Sequence, residues 1–132
     1  LVEKAVEAIR AAGLARRSAL HSFNFEVVAR VREIAPELRR LISVYAPSAE
    51  PHGGLAAVIE KARGLADILG VHDALFEAEF DLIAREWGID NCSVWTINAP
   101  ALMPKWIDIG PGFIVSDDPV TLKSLLHQEE VA

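Results

Sequence analysis

Apolar positions along this chain alternate between a helical period and short runs of strand length. LVEKAVEAIRAAGL sets Val2, Ala5, Val6, Ile9 and Ala12 at helical spacing. Gly13 suits the end of that helix. SALHSF is then a short strand. Asn24 can cap a helix that carries Phe25, Val28, Val31, Ile34 and Ala35 on one face. Glu26 and Arg30 stand four apart on its wet side. LISVY is a continuous apolar run, as expected of a parallel strand covered on both faces.

The second half repeats the alternation. APSAEPHGG reads as turn, and GLAAVIEKARG as a short helix. ADILGV is a third strand. Phe76, Phe80, Ile83 and Trp87 recur at helical spacing, with Gly88 closing that helix. NCSVWTIN is a fourth strand, and residues 101–109 read as helix, although Pro104 is awkward there. GFIVS is a fifth strand. Asp118-Pro119 is a cap and first turn for a last helix, VTLKSLLHQ. One helix followed by five strand–helix units predicts an α/β fold with a parallel sheet and right-handed crossovers. An open doubly wound sheet and part of a (β/α) barrel both fit. Neither GxGxxG nor GxxxxGK[ST] is present, which weakens a nucleotide-binding open sheet.

Composition narrows the function classes. The chain has 132 residues and a net charge of -6, which argues against a non-specific nucleic-acid binder. No apolar run approaches the ~20 residues of a membrane span, and the acidic amphipathic start is not a signal peptide. A single cysteine, Cys92, excludes an internal disulfide and reads as a small buried hydrophobe. The cytoplasm is the expected compartment; a periplasmic or secreted protein would carry its signal peptide upstream.

In parallel α/β folds ligands gather at the carboxyl ends of strands. Those ends are Ser22-Phe23, Tyr45, His72-Asp73, Trp95 to Asn98, and Ser116-Asp117. The rim is polar with aromatic walls and suits a small polar ligand. Each member also has a plain structural reading. Trp95 can fill core, His72 can be a loop histidine, Asn98 can cap the next helix, and Asp117 and Asp118 can serve a turn and helix start. His21 and Ser22 are adjacent, so on a strand they point to opposite faces and form no catalytic pair. Glu77, Glu79 and Asp81 read as acidic helix turns, Arg39-Arg40 as a solvated helix end, and Met103 as packing.

HSFNFEVVARVREIAPEL, ADILGVHDAL, SVWTINAPALMPKWIDIG and GFIVSDDP together resemble the C-terminal half of glycerophosphodiester phosphodiesterases. The family pattern has one strand ending in Ser-Phe, one in Trp-Thr-Val-Asn and a last in Thr-Asp-x-Pro. Here these are Ser22-Phe23, Trp95-Thr96-Ile97-Asn98 and Ser116-Asp117-Asp118-Pro119. The resemblance implies a (β/α)8 TIM-type barrel whose last five strands lie here. It makes Trp95 a wall of the substrate cleft, with Phe23 and His72 as further substrate-binding residues. Pro104, and Pro111-Gly112 before the last strand, depart from the family pattern.

The chemistry implied is hydrolysis of a phosphodiester to an alcohol and sn-glycerol 3-phosphate, assisted by a divalent metal, Mg²⁺ or Ca²⁺, with histidines as acid and base. The family places those residues on its first three strands, and no His-Arg dipeptide or Glu-Asn occurs here. The expectation is therefore no catalytic residue and no metal ligand in this chain. A barrel takes ~250 residues, so the chain is expected to be the C-terminal part of one barrel domain and inactive alone. The alternative is a non-catalytic half-barrel, a binding or assembly module. Its open sheet edge would favour a homo-oligomer.

Overall fold

A computed structural model of the chain describes residues 1–131, with side chains through residue 128. The helices are α1 Val2–Ala11, α2 Phe25–Ile34, α3 Ala46–Ala49, α4 Leu55–Ala62, α5 Asp73–Ala78, α6 Phe80–Glu86, α7 Met103–Ile109 and α8 Pro119–Val131. The strands are β1 Ala19–Ser22, β2 Arg39–Val44, β3 Ile68–His72, β4 Cys92–Trp95 and β5 Phe113–Ile114. They form one sheet in the order β1-β2-β3-β4-β5, with β1 parallel to β2 and β4 parallel to β5. A doubly wound sheet reverses its strand order at a switch point, whereas a (β/α) barrel adds strands in sequence. The unbroken order therefore decides between the two architectures that the sequence left open.

The chain divides into two compact units, Leu1–Leu69 and a second from Gly70 onward. The first is built on Val6, Val31, Ala35 and Leu38, with Val2, Ile9, Leu20 and Ile34 packed against them. This joins the apolar stripes of α1 and α2 to one face of β1. Arg10 ties the two helices at their edge, donating to Glu37 Oε1 at 2.7 Å and to the Ile34 carbonyl at 3.1 Å. Arg30 does not use Glu26, its expected partner; it pairs with Glu3 at 2.7 Å and Glu33 at 3.1 Å. The Arg30 guanidinium in turn holds the Glu3 carboxyl below its usual range.

Arg39-Arg40 is not a solvated helix end. Both residues open β2, and Arg40 is only 9% exposed. Its side chain donates to the carbonyls of Leu65, Leu38 and Pro36 at 2.6, 2.9 and 3.3 Å. Its backbone N–H donates to Asp67 Oδ2 at 2.8 Å. A charge can be buried here because its donors meet carbonyls that the strand entry leaves over.

In the second unit Phe76 and Trp106 are buried edge to face, with centroids 5.1 Å apart. Lys105 joins them at the surface, paired with Glu77 and lying over the Trp106 ring. The helix expected through Phe76 and Trp87 is two helices, α5 and α6, separated at Glu79, which leaves helical geometry at φ -119 and ψ 27. Phe80 follows that break and is exposed rather than part of a continuous apolar face. Pro104 proves harmless because α7 begins at Met103, placing the proline in the first turn, where no backbone donor is needed. APSAEPHGG is not all turn: α3 forms where Pro47 presets the first turn and the Ser48 hydroxyl accepts from the Tyr45 N–H at 3.0 Å. Gly112 is demanded by space, since a Cβ there would sit 2.3 Å from the Asp90 carbonyl oxygen.

Candidate functional site

In the second unit, β3 ends on His72 and β4 on Trp95. Their rings meet edge to face, centroids 5.0 Å apart at 87°. His72 Nδ1 lies 3.3 Å from the Ala74 N–H and 3.1 Å from Asp73 Oδ1. It accepts from the former in one tautomer and donates to the latter in the other, so Nδ1 is engaged either way. The imidazole is thereby held against the indole. The strand expected to run through Asn98 ends at Trp95, where the Trp95-Thr96 peptide bond is cis. Ile97 still donates to the Val115 carbonyl at 2.8 Å, which keeps the segment beside the end of β5.

Asn98 does not cap the following helix, which starts five residues on. Its Nδ2 donates to Asp117 Oδ2 at 2.8 Å, and its Oδ1 accepts from the Asp117 N–H at 2.8 Å and from Ser116 Oγ at 3.4 Å. The chain of bonds continues from the Asp118 N–H to Ser116 Oγ at 3.0 Å and from the Thr121 N–H to Asp118 Oδ1 at 3.1 Å. Asp118 is thus the cap of α8, as its sequence position predicts. Hydrogen bonds from the Thr121 side chain and backbone hold its carboxyl below the usual range.

In the first unit, β1 delivers His21 and Phe23 and β2 delivers Ser43 and Tyr45. His21 Nε2 lies 2.6 Å from Ser43 Oγ, and Ser43 is 5% exposed. Packing around the imidazole pushes it below the usual histidine range, although part of the side chain reaches the surface. Phe23 contacts His21 at 5.7 Å and Tyr45 at 5.8 Å, centroid to centroid. The His21–Ser43 pair escapes sequence reading because it depends on register. His21 stands opposite Leu41, and Ser43 is two residues further along the same face.

Within the second unit His72 meets Trp95, and within the first Phe23 meets His21 and Tyr45. His52 stacks edge-on against Phe25, 5.2 Å away. Cys92 is buried, and burial pushes its thiol up to about 12, which leaves no thiolate at neutral pH. Among the described residues no three His, Cys, Asp or Glu side chains gather to hold a metal ion. Among the same residues no helix is long and apolar enough to cross a membrane.

No protein-family model matches the chain, and no curated protein does. Solved structures do. A glycerophosphodiester phosphodiesterase from Parabacteroides distasonis matches with a TM-score of 0.76 and 23% identity, over 98% of this chain and 51% of that one. A protein described as a glycerophosphoryl diester phosphodiesterase, from Silicibacter pomeroyi, matches with a TM-score of 0.79 and 20% identity, over 97% and 43%. An Oleispira antarctica phosphodiesterase, solved with its product sn-glycerol-3-phosphate, matches with a TM-score of 0.64 and 23% identity, over 83% and 41%. The chain spans about half the length of these structures or less. At this identity the likeness establishes fold class: α/β, five parallel strands with alternating helices, of the TIM-barrel type.

Proposed function

We propose that the natural protein carrying these residues hydrolyses glycerophosphodiesters to an alcohol and sn-glycerol 3-phosphate, this chain being the C-terminal portion of its barrel domain. The observation that supports this reading is the likeness to solved phosphodiesterases over nearly the whole chain. The family's strand-end residues also fall at the ends of β1, β4 and β5.

In this reading Trp95, His72 and Phe23 contact substrate. Trp95 and His72 brace each other edge to face, so the wall they make is rigid before substrate arrives. The Asn98–Asp117 clamp holds the two segments that follow β4 and β5, which limits how far that wall can move. The divalent ion, Mg²⁺ or Ca²⁺, and the acid–base groups belong to residues outside this chain. When bound, the ion would polarise the phosphoryl oxygens.

The test is release of glycerol 3-phosphate from a panel of glycerophosphodiesters by the natural protein, with and without a chelator. Release that chelation abolishes supports the reading. No release from any diester removes it. The 132-residue chain alone should release none, whatever metal is added; turnover by it would place a complete site within these residues.

A further inference from the structure

We infer that His72 Nε2 binds a hydroxyl group of the substrate, so that the proposed enzyme selects its diester by a hydroxyl at this point of the wall. This rests on the diesterase reading for its substrate, and its geometry is that of the second unit alone. His72 closes β3, and its side chain is 40% exposed. The ring is held in place. Trp95 stands edge to face with it at 5.0 Å, and Nδ1 lies 3.3 Å from the Ala74 N–H and 3.1 Å from Asp73 Oδ1. Both polar contacts use Nδ1. Among the described residues Nε2 has no hydrogen-bond partner. An imidazole fastened by one nitrogen offers the other in a set direction, and the bond at the first decides what the second can do.

The two groups at Nδ1 ask for opposite tautomers. With the Ala74 N–H donating to Nδ1, the ring proton sits on Nε2, which then donates. With Nδ1 donating to Asp73, Nε2 accepts. A hydroxyl both donates and accepts, so it satisfies Nε2 in either form. A phosphoryl oxygen only accepts and an ammonium group only donates, so each fits one tautomer alone.

Charge speaks against an anionic oxygen as well. Residues 70–84 contain Asp73, Glu77, Glu79 and Asp81 and no lysine or arginine. Glu77 is paired with Lys105, whereas the Asp73 carboxylate lies beside His72 itself. A phosphoryl oxygen brought to Nε2 would meet like charge, which costs affinity. A hydroxyl carries none. It has two sources in a glycerophosphodiester: the leaving alcohol, and the terminal hydroxyl of the glycerol retained on the phosphate.

The experiment measures kcat/KM of the natural protein for three diesters. They are glycerophosphoglycerol, its analogue with ethanol as the leaving alcohol, and its analogue with propane-1,2-diol in place of the retained glycerol. His72→Phe keeps a ring against Trp95 and removes both nitrogens. It should lower kcat/KM for glycerophosphoglycerol about tenfold. The loss should be much smaller for the analogue that lacks the recognised hydroxyl, and that arm names the source. His72→Gln restores a donor and an acceptor near Nε2 and should regain most of the loss. A loss of equal size on all three diesters, or none, overturns the inference and leaves the diesterase reading standing. If wild type hydrolyses no diester, that reading fails. Titration with glycerol, followed by NMR at the His72 ring nitrogens, then decides the hydroxyl site separately. A saturable shift larger at Nε2 than at Nδ1 supports it, and no shift up to about 0.1 M overturns it.

Discussion

Asn98 holds Asp117 twice, giving its amide N–H to the carboxylate and taking the backbone N–H on its carbonyl oxygen, both at 2.8 Å. One side chain thereby fastens the segment after β4 to the segment after β5. Asn98→Ala removes both bonds and should cost ~1–2 kcal/mol. Faster hydrogen exchange at the Asp117 amide is the specific sign. Asn98→Asp should be worse, because it loses the donor and sets two carboxylates together. An unchanged exchange rate in both variants would mean that the clamp does not order the loop.

Trp95→Ala in the natural protein should lower kcat/KM for glycerophosphodiesters at least about tenfold, a loss of roughly 1.4 kcal/mol. Metal affinity should not change, since Trp95 contacts His72 rather than a cluster of donors. Steady-state kinetics beside a metal titration checks both halves. Normal kinetics would remove Trp95 from the site.

His21 provides a pH signature. Its folded value is lowered by burial, so the unfolded chain takes up the proton more readily. The folded state is therefore undisturbed above the ordinary histidine value of about 6.5, and loses stability as pH falls below it. Urea unfolding between pH 7.5 and 5 should show this decline, and His21→Gln should flatten it. A slope of equal size in the variant would assign the decline to other groups.

Arg40→Met should destabilise the protein by roughly 3 kcal/mol or more, because carbonyls at the entry to β2 lose a charged donor. Arg40→Lys should recover little, since one ammonium cannot reproduce the planar fork. Equilibrium denaturation of both variants measures this. Parity of Arg40→Lys with wild type would contradict the geometric account.

Gly112→Ala should cost ~1–3 kcal/mol, as overpacking against backbone does. The Asp90 carbonyl lies 2.3 Å from the new Cβ position and has no flexible side chain to yield. A melting temperature within a degree of wild type would show that the turn between α7 and β5 can shift freely.

The sequence by itself determined the alternation of helices and strands, because apolar period and cap chemistry are local. Asn24 accepts from Glu26, and Asp118 from Thr121, as their positions predict. Pro104 was ambiguous only because a helix start cannot be located to one residue by pattern; its place in a first turn resolves it. The resemblance to phosphodiesterases was legible in short strand-end motifs, and the fold agrees with it.

Tertiary structure decided what depends on register and on leftover backbone groups. The uninterrupted strand order separated barrel topology from a doubly wound sheet. Parallel pairing set His21 on the face of β2 that carries Ser43. Arg39 and Arg40 look equally hydrophilic in sequence, yet Arg40 is buried because carbonyls from Pro36, Leu38 and Leu65 converge on it. Asn98 has the residue type of a cap, but its partner lies nineteen residues away. Local pattern records what a residue can bond; only the packed chain determines which group arrives to meet it.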